Sequence, residues 1–184
     1  MNQVVSRRPK PALARLDWLL AGQRLLISDG LSGVKLAGLT RQLGVTSGSF
    51  YHHFTDFRDY LDQLADYYGG ENMERLNELI SLLPEPAERL RQMQALREQW
   101  DVTRLDAAMR VWATSDDRAR TAVAKLDDRL IELIREAFTE LGFSYDQARI
   151  RALLAFSAGV GQPFLFGRPA GDDDAAAALE LLLS

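Results

Sequence analysis

The side chains best suited to chemistry are concentrated in residues 44–54, GVTSGSFYHHF. This run holds both histidines of the chain, at adjacent positions. Neighbours on a helix point about 100° apart, so the two imidazoles cannot share a metal ion as an i, i+4 pair could. Ser47 or Ser49 with His52 could suggest a nucleophile and a base, but no strand-turn-helix elbow surrounds them and no buried acid is placed to orient the imidazole. We therefore expect no metal site, no cofactor and no enzyme activity.

Two short helices separated by a tight turn are predicted to position this run. Leucines at helical spacing give the first helix, residues 36–43, one apolar face. Gly44 follows its last turn, where glycine accepts the left-handed conformation that ends helices. Thr46 stands at the N-cap of the second helix, residues 47–53, so we expect its hydroxyl to accept a hydrogen bond from a backbone N–H.

The second helix is predicted to have one buried and one exposed side. Phe50 and Phe54 are four residues apart and mark the buried stripe, whereas His52 lies farthest from it. The exposed side carries small or hydrogen-bonding residues and no carboxylate, as a surface facing DNA phosphates requires, because acidic side chains would repel the duplex. Its members are Ser47, Gly48, Ser49, Tyr51 and His52.

The same run closely resembles the helix-turn-helix signature of TetR-family transcriptional regulators, roughly G-V-[ST]-x-G-[ST]-[LFI]-Y-x-[HY]-F. The matching positions are Gly44, Val45, Thr46, Gly48, Ser49, Phe50, Tyr51, His53 and Phe54. The resemblance implies an all-α protein in which an N-terminal three-helix helix-turn-helix head precedes a helical ligand-binding and dimerisation body. It implies a regulator, most often a repressor, that binds a palindromic operator in double-stranded DNA as a homodimer and is released by a small-molecule effector.

Two positions depart from the family pattern. Lys35 stands where the family usually has a Ser or Thr that caps the first helix, and Phe57 stands where it often has a phosphate-contacting lysine. We expect Tyr51 to use its hydroxyl on a phosphate, and the serines to donate to phosphates. The predicted DNA-binding residues are Lys35, Arg41, Thr46, Ser47, Gly48, Ser49, Tyr51 and His52.

Charge is unevenly distributed along the 184 residues, which carry −4 in total. Residues 1–54 hold seven basic and two acidic side chains, a net +5, which leaves −9 on the remainder. A basic head on an acidic body suits a protein that presents one end to DNA, although small domains also differ in charge by chance. Arg7, Arg8 and Lys10 lie in an N-terminal arm that could rest on phosphates or be a solvated tail.

The rest of the chain shows helical periodicity and no strand alternation, which predicts roughly nine helices in all. We expect residues 1–54 to form the DNA-binding domain and residues 55–184 the effector-binding and dimerisation domain. Ser115 is the expected cap of a long helix ending at Leu141, and the spacing of Ser144 and Gln147 predicts a capping box. The other predicted helices are 11–28, 57–83, 86–99, 103–113, 144 to about 166, and one from Asp172.

Large apolar residues of the middle helices are candidates for the effector pocket that the resemblance implies, although an ordinary helical core would use the same residue types. Few charges are expected to face inward there, so we expect a largely apolar effector. The candidates are Trp100, Met109, Trp112, Phe138 and Phe156.

Helices 144–166 and 172–183 are the expected dimer interface, as a four-helix bundle around a two-fold axis. A dimer would place two recognition helices in successive major grooves. The same faces could instead close the core of the monomer. The predicted interface residues are Leu153, Phe156, Val160, Leu179 and Leu182.

Apolar runs in the chain fall far short of the roughly 18 residues of a membrane span, and there is no cysteine. We therefore expect a cytoplasmic protein with no membrane partner. The alternative to a DNA-binding regulator is a helical protein-interaction module that has kept the head but lost DNA binding. Duplex binding that weakens steeply with salt would belong only to the regulator.

Overall fold

The computed structural model describes residues 13–69, 79–80, 82–99, 102–161, 164 and 172–184. Most of these residues are helical and none of them belongs to a strand, which confirms the predicted all-α class. A single 3₁₀ turn, Leu31–Gly33, connects the first two helices. The helices are α1 Arg15–Asp29, α2 Leu36–Leu43, α3 Ser47–Phe50, α4 Phe57–Gly69, α5 Pro86–Gln99, α6 Val102–Ala113, α7 Asp117–Glu140, α8 Tyr145–Gly161 and α9 Asp172–Leu183.

The helix-turn-helix follows the predicted order, but its second helix is shorter than expected. Gly44 ends α2 in the left-handed conformation, at φ 67° and ψ 38°, as predicted. α3 is only one turn long. After it, the Phe50 carbonyl accepts two hydrogen bonds, from the N–H of His53 at 2.9 Å and from the N–H of Phe54 at 3.1 Å. Residues 51–53 therefore form a turn, and the prediction of a helix through residue 53 was wrong.

Two side chains that were predicted to cap helices, those of Thr46 and Ser115, make no capping hydrogen bond. Thr46 occupies the N-cap of α3 in an extended conformation, but its hydroxyl makes no capping hydrogen bond. Its carbonyl instead accepts from the N–H of Ser49 at 3.1 Å. At the start of α7 the cap is Asp116, whose carboxylate accepts from the N–H of Arg118 at 3.0 Å, whereas the hydroxyl of Ser115 donates back to a carbonyl of α6.

Other boundaries agree more closely with the sequence. The Ser144 N–H donates to Gln147 Oε1 at 3.1 Å and the Gln147 N–H donates to Ser144 Oγ at 3.4 Å, so the predicted capping box opens α8. The first helix begins at Arg15 rather than at residue 11, because Ala14 is extended. The following predictions lie outside the described residues: the N-terminal arm with residues 11–12 of the first helix, residues 70–78 and 81 of the helix predicted over 57–83, Trp100, and residues 162–163 and 165–166 of the helix predicted from 144 to about 166.

Buried apolar side chains of the described residues form two clusters. The head-side core combines α1 to α4 with α6 and the first half of α7, and includes Trp18, Phe50, Tyr60, Trp112 and Leu126. The end core combines α5, the second half of α7, α8 and α9, and includes Leu90, Ile134, Phe138, Ala152 and Leu179. None of the described helices has the length and apolarity of a membrane span.

Candidate nucleic-acid interface

Phe50 holds α3 against the rest of the head. Its side chain is fully buried, and its ring lies 5.4 Å from that of Trp18 and 5.4 Å from that of Tyr60, both in edge-on geometry. Phe54 is also buried, with its ring 5.0 Å from that of Phe50. The two phenylalanines are therefore core residues, as their spacing predicted, and they set which side of α3 faces outward.

Most of the predicted DNA-binding residues lie on α3 and in the turns beside it, whereas Lys35 and Arg41 belong to the start and the last turn of α2. Tyr51 is 57% exposed, and its ring packs edge-on against Phe50 at 5.3 Å. Ser49 is half-buried, whereas the other predicted contacts are exposed. No carboxylate belongs to residues 44–54, so this surface has no acidic side chains of its own. The exposed members are Lys35, Arg41, Thr46, Ser47, Gly48, Tyr51 and His52.

The two departures from the family pattern have clear structural outcomes. Phe57 is half-buried, and its ring lies 5.5 Å from that of Tyr60 and 6.1 Å from that of Phe50, so it extends the head-side core. Lys35 occupies the N-cap of α2 without a side-chain capping bond, and its exposed side chain leaves the ammonium available to a phosphate. The family lysine at the start of α4 is thus replaced by packing.

The start of α4 carries negative charge beside the proposed interface. The Asp59 N–H donates to Asp56 Oδ1 at 2.8 Å, and the Thr55 N–H donates to Asp59 Oδ2 at 2.8 Å. The hydrogen bond from the Thr55 N–H, together with one from Gln63, holds the pKa of the Asp59 carboxyl below its usual range. Both carboxylates are used to begin the helix, which stabilises an N-terminus because the helix dipole is positive there.

Tyr60 attaches α4 to α1. Its hydroxyl donates to the Trp18 carbonyl at 3.0 Å in a buried position, and burial raises the pKa of the Tyr60 phenol. Gly22 leaves the space that this contact needs, because a Cβ at that position would lie 2.0 Å from the Tyr60 hydroxyl oxygen. The sequence reasoning missed this contact, because a glycine inside a helical pattern carries no sign of what approaches it.

The candidate effector residues do not converge on one site. Met109 and Trp112 are buried in the head-side core, whereas Phe138 is buried in the end core and Phe156 is half-buried against it. Trp100 lies outside the described residues. The structure thus divides the predicted pocket lining between two cores.

A small network of charged residues lies inside the body. Asp106 is its one buried charged side chain among the described residues, so the expectation that few charges face inward stays a prediction. Asp106 is only 5% exposed, and it accepts from the Tyr68 hydroxyl at 2.5 Å and from Arg110 Nε at 3.1 Å. Arg110 also donates through both terminal nitrogens to Asp127, at 2.9 and 2.6 Å. A buried carboxylate is tolerated when hydrogen-bond donors surround it, as they do here. The i, i+4 spacing of Asp106 and Arg110 was the only sequence signal for this network.

This polar network shifts the ionisation of its own members. Burial, with the neighbouring charge of Asp106, raises the pKa of the Tyr68 phenol. Burial opposes the charge on Arg110, but the hydrogen bonds from its guanidinium to Asp127 and Asp106 outweigh that effect and raise its pKa. The guanidinium also lies over the Phe156 ring, 5.8 Å from its centroid. At neutral pH Arg110 is therefore charged and Tyr68 is protonated.

The predicted interface residues differ in how accessible they are. Leu153 is 38% exposed, whereas Phe156, Val160 and Leu182 are half-buried. Leu179 is buried in the end core of its own chain, so it contributes to the monomer. Further exposed apolar side chains on the same two helices are Ile150, Leu154 and Leu181.

Neither a protein-family model nor a curated protein sequence matches the chain. Solved structures do match along nearly its whole length. A transcriptional regulator described as a TetR/AcrR family member has a TM-score of 0.72 and 22% identity, over 92% of this chain and 98% of that one. A TetR-family regulator from Agrobacterium tumefaciens has a TM-score of 0.66 and 18% identity, over 92% and 95%.

The fold is that of TetR-family regulators. The FadR regulator from Bacillus subtilis, in complex with stearoyl-CoA, shares this TetR fold with a TM-score of 0.66 and 17% identity, over 93% of this chain and 98% of that one. These matches confirm the resemblance read from residues 44–54 at the level of the fold. In the TetR fold the exposed side of α3 belongs to the helix-turn-helix head.

Proposed function

We propose that this protein is a DNA-binding transcriptional regulator of the TetR type, and that α3 and the turn after it contact the duplex. The observation that carries the proposal is the exposed surface without carboxylates at residues 46–52, held outward by buried Phe50 in a chain with the TetR fold. The solved structures of that fold described above are transcriptional regulators, which supports the same reading.

Two kinds of contact are proposed at this surface. The Tyr51 hydroxyl and the serine hydroxyls donate to phosphate oxygens, which positions the protein on the duplex. Lys35 and Arg41 supply positive charge, and each neutralised phosphate releases counterions, which makes binding depend on salt. His52, exposed in the turn after α3, is proposed to reach the base edges.

Selection of a binding sequence from random duplexes, followed by affinity measurements over a range of salt concentrations, tests this proposal. Arg41→Ala should weaken binding and reduce the salt slope by about one. Tyr51→Phe should weaken binding to all sequences alike and leave the slope unchanged, because it removes a hydrogen bond and no charge. Ser32→Ala, an exposed change in the head away from α3, is the matched control.

The alternative function is a protein-interaction module without DNA binding, which the packing of Phe57 favours because a core residue replaces the phosphate-contacting lysine. It predicts that no duplex is enriched in the selection and that any residual affinity ignores Tyr51 and His52. Unchanged affinity in both Tyr51→Ala and His52→Ala would remove the proposed interface.

We further propose a homodimer formed by α8 and α9. Its support is the set of exposed leucines on these helices, including Leu153 and Leu154, since two end helices bury such surface most readily against a second copy. Leu153→Glu should convert the dimer to a monomer in sedimentation and abolish operator binding while the head stays folded. Leu82→Glu, which adds the same charge at an exposed leucine outside α8 and α9, should do neither. A wild-type monomer that still binds its operator tightly would refute the dimer.

We also propose that a small-molecule effector controls DNA binding, most simply by releasing a repressor. The support is that FadR, a regulator of the same fold, was solved in complex with stearoyl-CoA. An effector changes operator affinity only by binding one state of the protein more tightly than the other. Titration of candidate effectors against the labelled operator complex would show the release directly.

A further inference from the structure

We propose, resting on the regulatory function above, that the head does not move as a separate module of residues 1–54. It moves instead together with α4, α6 and the first half of α7, as one unit that we call the head unit. The contact of Arg110 with Phe156 connects the head unit to the dimerising end of the protein, and that contact is the point at which regulation acts.

A shared core is the first support for the head unit. Trp18 and Phe50 of the helix-turn-helix head belong to the same buried cluster as Met109 and Trp112 of α6 and Leu126 of α7. Close-packed interiors resist continuous deformation, so elements that share one core tend to move together. The boundary at residue 54 runs through the middle of this core.

Hydrogen bonds and an ion pair made by α4 also hold the head unit together. The Tyr60 hydroxyl bonds to the Trp18 carbonyl in the head, and two turns later the Tyr68 hydroxyl bonds to Asp106 on α6. Between them, Asp62 forms an ion pair with Arg118 of α7, with the N···O distance at 2.8 Å. α4 is therefore hydrogen-bonded near both of its ends, to α1 of the head near its start and to α6 of the body near its end.

The division between the two ends of the molecule falls instead within α7. Ala119, Val123 and Leu126 pack into the head-side core, whereas Ile134 and Phe138 pack into the end core with α8 and α9. The residues between the two sets include the consecutive charged side chains at 127–129. A long helix that changes its packing partners halfway along can bend gently at that point, and even a small bend changes the spacing of the two heads in a dimer.

Arg110 bridges this division. Its guanidinium is paired with Asp106 and Asp127 in the head unit, and it lies over the ring of Phe156, which packs against the end core from α8. A molecule that displaces the Phe156 ring would loosen the bridge without touching any DNA-binding residue. Such a molecule would shift the protein toward the loosened state if it bound that state more tightly than the bridged one.

Distances between pairs of spin labels test the division, and the chain has no native cysteine to interfere. Ala37→Cys on α2 is paired either with Ala124→Cys in the first half of α7 or with Glu136→Cys in its second half, all three at exposed positions. Labelled protein is mixed with excess unlabelled protein, so that each distance is measured within one chain. Phe156→Leu removes the aromatic face at the bridge, and Arg110→Lys keeps the charge but loses the bidentate pair.

The matched control is Phe143→Leu. The Phe143 ring carries a similar contact, with the Arg151 guanidinium 4.1 Å from its centroid, but both residues lie at the end core. We expect Phe156→Leu and Arg110→Lys to shift or broaden the 37–136 distance and to leave the 37–124 distance unchanged, whereas Phe143→Leu changes neither.

Two results would overturn the proposal. One is a change in the 37–124 distance that accompanies or replaces the change in the 37–136 distance, because the head would then move against α7. The other is an effect of Phe156→Leu and Arg110→Lys no larger than that of Phe143→Leu. The distances are intramolecular and need neither DNA nor a dimer, so they can fail or hold independently of the proposed function.

Discussion

The substitution Gly22→Ala adds a single methyl group to α1 at the point where Tyr60 of α4 packs against it, and so tests how α4 is attached to the head. A Cβ there would lie 2.0 Å from the Tyr60 hydroxyl oxygen, far inside contact distance. Tyr60 cannot swing aside cheaply, because its side chain is fully buried and its ring packs against Phe50, Phe54 and Phe57. Gly22→Ala must therefore force the tyrosine or α1 to move.

Three terms set the expected size of the effect. Overpacking a close-packed core costs about 1–3 kcal/mol, and leaving the buried Tyr60 hydroxyl without its partner costs about 1–3 kcal/mol. Alanine in place of glycine within a helix recovers about 1 kcal/mol. We therefore expect Gly22→Ala to lower the free energy of unfolding by roughly 1–5 kcal/mol.

Urea titration followed by circular dichroism measures this change as a shift of the unfolding midpoint. Gly48→Ala is the control, since its Cβ would meet nothing nearer than Thr46 Oγ1 at 3.8 Å, and it should not lower stability. Combining Gly22→Ala with Tyr60→Phe should restore part of the loss, because the clashing oxygen is gone. Wild-type stability in Gly22→Ala, or no recovery in the double variant, would refute the reasoning.

Other predictions follow from caps, core residues and ionisation. Phe50→Ala should lower the free energy of unfolding by about 3–5 kcal/mol, and a variant that melts like the wild type while losing DNA binding would show that Phe50 is a contact. Thr46→Ala should leave the melting temperature nearly unchanged because the hydroxyl caps nothing, whereas Asp116→Ala should cost about 1 kcal/mol, measured in the same melts. Burial raises the pKa of Tyr60 and of Tyr68, so their contribution to stability is complete below the ordinary tyrosine pKa of 10.0 and is lost as the pH rises further. Urea titrations at increasing pH should therefore show a steeper alkaline loss of stability for the wild type than for the variant with both tyrosines changed to phenylalanine.

Structural features that depend only on residues close together in the chain could be predicted from the sequence. The spacing of Phe50 and Phe54 identified two core residues, although Phe54 lies beyond the end of α3, and Gly44 marked the end of α2. The capping box of Ser144 and Gln147 was equally local. The exposure of Ser47 and Gly48 followed from the same periodicity, whereas Tyr51 and His52 are exposed in a turn that the periodicity did not predict.

Features that depend on partners distant in the chain required the packed structure. Asp106 looks like a solvated acid in the sequence, but Tyr68, thirty-eight residues earlier, and Arg110 make it a buried one. Leu179 is buried in its own chain because α5 and α8 lie beside it. Periodicity shows which side of a helix is buried, but it does not show which helix covers that side. The shared core of the head and body, and the bridge at Arg110, are consequences of that choice of neighbours.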